Sequence, residues 1–228
     1  MARRSVLTVV AVAVVSFMTL TGLVLAVMLA AGDEGGLGFG SRVALLEIDG
    51  VIADDQAMLR QIREFRRDPS VKAFVVAINS PGGVVGPSQS IYQELRRLRD
   101  EDERPVVASI GGIGASGGYY VALAADSIFA LPGSITGSIG VIMEFPNASE
   151  LMDRIGFAME TVQSHENKDI GSPFRPMTEE DRAILGSLVD DVYNQFVDVV
   201  AQERDLPRET VLTMADGRLF SGDRKSVV

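Results

Sequence analysis

The chain contains no cysteine, one histidine and only two lysines ahead of Lys225. Without cysteine there is no disulfide framework, no thiolate zinc site and no thiol nucleophile. With His165 as the sole histidine, no metal can be held by several imidazoles, and any histidine-based mechanism rests on that one residue. Neither metal nor cofactor is expected. Positive charge is also scarce: 21 Lys and Arg stand against 31 Asp and Glu, for a net charge of -10. Such a chain is repelled by phosphate backbones, so nucleic acid is not an expected partner. A G-x-x-x-x-G-K-[ST] phosphate loop is missing as well. The acidity reads as solubility. What is present is 228 residues, 46% hydrophobic and 23% charged, room for one anchor and one medium-sized domain with a true core.

Residues 5–31 carry no charge and are dominated by Val, Leu, Ala and Met. Roughly 20 apolar residues cross the hydrocarbon as a helix, whereas a cleavable signal has an apolar region of about 7–15. The stretch reads as a retained transmembrane anchor, with a cleaved signal as the minor alternative. Arg3 and Arg4 precede it, and Asp33 and Glu34 follow. The positive-inside bias then puts residues 1–4 in the cytoplasm and the remainder on the outer face of the inner (plasma) membrane. Residues 32–41 form a glycine-rich tether, and a folded domain is expected from 42 to 222.

Within that domain, residues 42–48 (RVALLEI) read as a buried strand, 56–66 as an amphipathic helix and 71–78 as a second strand. A helix is expected over 89–99, a strand over 105–110, a small-residue helix over 116–125 and a short strand over 128–130. Residues 149–155 read as a helix, 158–163 as a strand and 178–203 as a long amphipathic helix. Thr178 and Asp181 are spaced as a capping box at its start. Strands alternating with helices argue an α/β domain with a mostly parallel sheet. Ligands in such sheets sit beyond the carboxyl ends of the strands. Two glycine-rich segments fall there: Asn79-Ser80-Pro81-Gly82-Gly83, and Gly111 through Gly118.

The second segment suits a nucleophile. A reactive serine needs a tight turn, small neighbours that let a carbonyl approach, and a helix start whose free N–H groups face a developing oxyanion. Gly114-Ala115-Ser116-Gly117-Gly118, followed by a helical stretch, supplies these. A tight strand-to-helix turn with Ser116 as a plain N-cap explains the same residues. The flanking residues depart from the G-x-S-x-G elbow. In the first segment, Gly82-Gly83 lets a bare amide face a ligand. The serine also needs a base, and His165 and Lys168 are the candidates. A lysine does this work only when neutral, through burial in apolar surroundings, and arginine cannot. A solvated loop lysine is the bland alternative, and on chemistry alone His165 and Lys168 both stand.

Four motifs occur in order: Asn79-Ser80-Pro81-Gly82-Gly83; Ala115-Ser116-Gly117-Gly118-Tyr119-Tyr120; Ser134-Ile135-Thr136-Gly137-Ser138-Ile139-Gly140-Val141; and Lys168-Asp169-Ile170-Gly171-Ser172-Pro173-Phe174-Arg175. Together they resemble the short, single-domain form of the bacterial signal peptide peptidase A family. The resemblance implies a Clp protease/crotonase-like α/β fold of repeated ββα units behind one N-terminal transmembrane helix. It implies a serine endopeptidase with a Ser-Lys dyad: Ser116 attacks the peptide carbonyl, Lys168 takes the proton and Ser138 holds the lysine amine. It implies that the amides of Gly83 and Gly117 form the oxyanion hole. It further implies a homo-oligomeric ring on the membrane, with sites completed by neighbouring subunits. The substrates it implies are remnant signal peptides and other apolar membrane-associated peptides.

Residues 223–228 depart from the family pattern, which continues past this point with a further helix. The resemblance therefore reads the C-terminus as truncated and its product as poorly assembled. Two other functions compete: a catalytically impaired membrane homologue that binds peptides, and a crotonase-like acyl-CoA enzyme. The expected extracytoplasmic side argues against the second, because acyl-CoA is cytoplasmic.

Overall fold

A computed structural model of the chain describes residues 40–223, together with Met18, Thr19 and Thr21. The expected anchor (apart from those three residues), most of the tether and residues 224–228 lie outside the described residues. Among the described residues, no helix is long and apolar enough to cross a membrane. The chain divides into two units, Met1–Ser41 and Arg42–Val228, and the second holds the fold.

That unit is mixed α/β. Its strands are β1 (Arg42–Asp49), β2 (Val71–Ser80), β3 (Val106–Ala115), β4 (Ser127–Ala130), β5 (Ile135–Gly137) and β6 (Leu219–Ser221). Its helices are α1 (Gln56–Arg67), α2 (Val85–Asp100), α3 (Gly117–Ala122), α4 (Ser149–Ile155), α5 (Glu179–Glu203) and α6 (Arg208–Leu212), with a 3-10 turn at Glu166–Asp169. The sheet order is β1-β2-β3-β5-β6, and β4 also pairs with β3. All pairings are parallel except β5 with β6.

One face of the sheet forms the core. Ala44, Leu46 and Ile48 of β1, Phe74, Val76 and Ile78 of β2, and Val106 and Ala108 of β3 are buried with Ile62 of α1, Leu95 and Leu98 of α2, and Phe196, Val197 and Val200 of α5. The alternate residues of β1, Val43 and Leu45, point the other way and are exposed. The strand expected to be buried is thus buried on one face only, the period-two pattern of a half-covered sheet.

Two local expectations change in ways that bear on the site. Residues 111–114 are not a loop: β3 continues through them to Ala115. The first half of β3 pairs with β4, from Val107↔Ser127 to Ile110↔Ala130, and the second half with β5, from Ile113↔Ile135 to Ala115↔Gly137. The strand therefore delivers Ser116 directly from its last hydrogen-bonded residue. Residues 158–163 form no strand. Their side chains are exposed, and no neighbouring strand takes up their backbone groups among the described residues, so strand propensity has nothing to pair with. The third partner at this end of the sheet is β6, which crosses antiparallel to β5. At the long helix the expectation holds. Thr178 and Asp181 form the capping box, with the Thr178 hydroxyl accepting from the Asp181 amide and the Asp181 carboxylate accepting from the Thr178 amide.

Candidate active site

Ser116 stands between the end of β3 and the start of α3 with φ 51° and ψ -121°. An L-residue with positive φ costs about 1–3 kcal/mol and persists only where its surroundings impose it. Here they do. The Ser116 N–H donates to the Gly137 carbonyl at 2.8 Å, and its own carbonyl accepts from the Tyr120 N–H at 2.8 Å. The serine is pinned to β5 on one side and to the first turn of α3 on the other. The flanking residues are not those of the G-x-S-x-G elbow, yet the backbone makes the same sharp strand-to-helix turn that presents a side chain outward.

The loop after β2 meets this turn. Gly82 has φ +102°, and a Cβ there would lie 2.6 Å from the Gly117 nitrogen and 2.8 Å from the Ser116 Cβ. A Cβ on Gly117 would fall 2.5 Å from the Ser88 hydroxyl and 3.2 Å from the Gly83 nitrogen. Only bare backbone fits, so the amides of Gly83 and Gly117 come together beside Ser116. Neither donates to a backbone carbonyl among the described residues. The turn itself is fixed by Ser80, whose buried hydroxyl accepts from the Gly82 N–H at 3.1 Å. The bridge between Ile52 and Gly83 anchors the loop to the chain after β1.

Ser138 follows β5 with φ 53°, and its N–H donates to the Arg218 carbonyl at 2.8 Å. Ser116, Ser138 and Gly83 line one groove of about 650 Å³ together with Val189, Asp190 and Tyr193 of α5 and Gly217. Two buried hydroxyls brace the β5 side of it. Thr136 donates to the Gly114 carbonyl at 2.9 Å and Ser134 to the Gly111 carbonyl at 2.6 Å. Four of the five expected site residues, Gly83, Ser116, Gly117 and Ser138, are therefore brought together.

Lys168 is not among them. It lies in the 3-10 turn Glu166–Asp169, exposed, and lines none of the cavities that Ser116 lines. His165, its rival, caps the same turn and is equally exposed. The turn is tied down by Arg175. Its guanidinium donates to both oxygens of Asp169 at 2.8 Å and also to the carboxylate of Asp181 at the start of α5. Hydrogen bonds from Arg175 hold both carboxyls below the usual carboxylate range.

Sequence reasoning missed this clasp and the contribution of α5 to the groove. The first had a signal, since Arg175 lies between two acidic residues, Asp169 and Asp181, that a turn and a helix cap bring within reach. The second had only the amphipathic pattern of α5, which marks a face without saying what it covers.

Comparison with known proteins places the chain in a class. Residues 99–225 match the model described as Peptidase family S49, a span holding Ser116, Gly117, Ser138 and Lys168. The chain belongs to peptidase family S49, with relatives among the signal peptide peptidase A proteins. It is 40% identical over 185 residues to a Synechocystis protein whose name carries the word protease, covering 80% of this chain and 66% of that one. An Enterococcus faecium protein whose name carries signal peptide peptidase SppA is 33% identical over 80% of this chain and 57% of its own length. The chloroplastic serine protease SPPA of Arabidopsis thaliana is 32% identical over 73% of this chain and 24% of its own. The chain thus matches two thirds or less of the length of these relatives.

Proposed function

We propose that this chain is a serine endopeptidase, tethered to the membrane by residues 5–31, that cleaves remnant signal peptides and other apolar membrane-associated peptides. The observation that carries the reading is Ser116: an L-residue held at positive φ, at a helix start, beside two amides without backbone acceptors among the described residues, at the edge of a large groove. A polar side chain is held in strain there and aimed at open space, which a plain helix cap does not require.

In this reading the Ser116 Oγ attacks the carbonyl carbon of the scissile peptide, and its proton passes to the Lys168 amine. The oxyanion that forms takes hydrogen bonds from the amides of Gly83 and Gly117. Collapse breaks the C–N bond, and the departing amine takes the proton from Lys168. Water then attacks the acyl-enzyme carbonyl, giving its proton to Lys168, and Ser116 is released with its own proton restored. Ser138 orients the lysine. Because Lys168 stands outside the groove lined by Ser116 of its own chain, the mechanism calls for the homo-oligomeric ring that the family resemblance implies. There the lysine of one copy completes the groove of the next, in a Clp protease/crotonase-like fold facing the extracytoplasmic side.

The test is labelling of the full chain, in detergent micelles, with a serine-reactive fluorophosphonate, alongside cleavage of an apolar peptide. Ser116→Ala is expected to abolish both, and Lys168→Ala to abolish cleavage while leaving the fold intact. Mixing the two inactive variants distinguishes sites within one chain from shared ones. In an equal mixture, recovery of up to about a quarter of the parent activity per chain is expected if two copies build each site. Cleavage retained by Lys168→Ala and lost by His165→Ala would move the base to the histidine. Absence of labelling at Ser116 would return the chain to the peptide-binding or acyl-CoA readings.

A further inference from the structure

Charge is unevenly divided along the folded unit. Residues 42–104 hold ten basic and eleven acidic residues, whereas residues 105–223 hold seven and eighteen. Helix α1 goes against the acidic trend, with four arginines and one acid, Glu64, among its 12 residues. We infer that the exposed arginine face of α1 docks on anionic phospholipid headgroups and fixes how the folded unit stands on the membrane. The inference rests on the proposed anchor at residues 5–31 and is independent of the chemistry at Ser116.

Helical spacing builds the face. Ile62 points into the core and is fully buried. Arg60, Arg63 and Arg67 recur at intervals of three and four, so they lie along one side of the helix, and all three are exposed. With Glu64 they line one open depression. Neighbouring arginines are already engaged: Arg66 by Asp102 and Glu101, and Arg99 by Asp100 and Glu203. The guanidiniums of Arg60 and Arg67 have no partner among the described residues. Arg63 reaches only Glu94, at 3.6 Å, a surface pair that water weakens. Lysine would serve a merely solvated face as well. The planar arginine fork instead matches a phosphate, with two parallel hydrogen bonds.

The face also lies where the chain enters the folded unit. Arg42 opens β1, an edge strand of the sheet. Its amide donates to the Ser70 carbonyl at 2.8 Å, and its guanidinium stands 3.9 Å from the carboxylate of Asp68, the C-cap of α1. The end of α1 that carries Arg67 is thus beside the first residue after the expected tether. A glycine-rich tether over 32–41 spans about 16–19 Å on average, and α1 is about 18 Å long. The arginine face is therefore within reach of the headgroups. The division of charge then gives the unit a direction. An anionic surface attracts α1 and repels residues 105–223, over a screening length of about 8 Å at physiological salt.

The chain contains no cysteine, so an introduced one reports a single position. Ala57→Cys carries a fluorescent donor on α1, one turn before Arg60, and Ser187→Cys carries one on the exposed side of α5. The full chain is reconstituted in vesicles of phosphatidylcholine, or of phosphatidylcholine mixed with phosphatidylglycerol, each with a trace of headgroup-labelled acceptor lipid. Phosphatidylglycerol is expected to raise energy transfer from residue 57 and not from residue 187. The ratio of docked to undocked chain should rise roughly 25-fold, about fivefold for each net charge left by three arginines and Glu64. The triple variant Arg60→Gln, Arg63→Gln and Arg67→Gln is expected to lose the rise. So is the parent at about 1 M salt, where the screening length falls to about 3 Å. Equal transfer from residue 57 in the two vesicles overturns the inference, as does an equal rise at both positions or a rise that the triple variant retains. A rise cancelled by millimolar inorganic phosphate at constant ionic strength means a free-anion site. A rise that follows protein density instead of lipid charge means that a second copy covers α1. Each of these overturns lipid docking. A chain that associates with neither vesicle removes the anchor reading and this inference with it, while Ser116 labelling still decides the peptidase reading.

Discussion

Residues 42–130 and residues 141–176 are built on different principles. The first region buries a row of apolar side chains from β1, β2 and β3 against α1, α2 and α5, and Leu46, Phe74, Ile62 and Leu98 are fully inaccessible. The second has almost no interior. Its one helix, α4, has no buried residue, and Ile142, Leu151, Ile155, Phe157, Met159 and Val162 are exposed. Ser116 belongs to the first region and Lys168 to the second. The nucleophile and the oxyanion amides are thus set by close packing. The proposed base sits on a segment whose attachment to its own chain is chiefly polar, through Arg175, Asp169 and Asp181. A run of exposed large apolar residues exceeds what scattered surface positions account for, which agrees with the proposal that this segment meets another copy.

The contrast is sharpest in stability. Phe74→Ala removes a fully buried ring from the middle of the sheet and is expected to cost about 3–5 kcal/mol. Phe157→Ala, with Phe157 47% exposed, is expected to change stability of the isolated chain by no more than about 0.5 kcal/mol. Denaturant unfolding of both variants decides this. A Phe157→Ala cost near that of Phe74→Ala would mean that residues 141–176 carry a core of their own.

Gly82→Ala tests the packed half at the site itself. The new methyl meets the Gly117 nitrogen and the Ser116 Cβ, in a conformation with φ +102°. Backbone strain at such a residue costs about 1–3 kcal/mol. A disproportionate loss of Ser116 labelling is expected, because the two amides must part to admit the methyl. Labelling at the parent rate would show that the amides around Ser116 do not govern its reactivity.

How much of this could be read in the sequence follows the same division. The strands β1, β2 and β4, the long helix and its capping box were legible, because local pattern and tertiary role agree there. Ser116, Gly83 and Gly117 were legible as loop chemistry, although the segment before the serine proved to be strand. The mistaken strand over 158–163 lies in the unburied region, where propensity has no packing to act against. Two features that make the site were not legible at all. Positive φ at Ser116 and Ser138 is imposed by hydrogen bonds that their amides donate to the carbonyls of Gly137 and Arg218, residues distant in sequence. The three-residue strand β6, which Arg218 immediately precedes, is too short to show a period.

Acid is expected to separate the two regions without mutation. Hydrogen bonds from Arg175 hold the Asp169 and Asp181 carboxyls below their ordinary range. A carboxyl with a depressed folded pKa contributes stability above its unfolded value, about 3.9, and that contribution is lost as pH falls toward the folded value. Below roughly pH 4, the amides of Lys168 and Ser172, which donate to His165 and Asp169 carbonyls, should lose protection in native-state hydrogen exchange before the amides of β2 and β3. Arg175→Ala should bring that loss up to neutral pH. Simultaneous loss in both regions would show a single cooperative unit and erase the distinction.

The smallest expected effect lies inside the packed half. The Tyr119 side chain is fully buried and its hydroxyl has no hydrogen-bond partner among the described residues. Burial raises its pKa to about 12, so it remains a neutral, unsatisfied donor. Leaving such a group unpaired costs about 1–3 kcal/mol. Tyr119→Phe removes the oxygen while keeping the ring against Phe196. The hydroxyl's loss leaves a small void, which offsets part of the gain. The variant is expected to be neutral or more stable by up to about 1 kcal/mol, with Ser116 labelling unchanged. Destabilisation by more than about 1 kcal/mol would reveal a partner for the hydroxyl, a buried water being the simplest. The helix that follows Ser116 would then be held by a polar contact as well as by close packing.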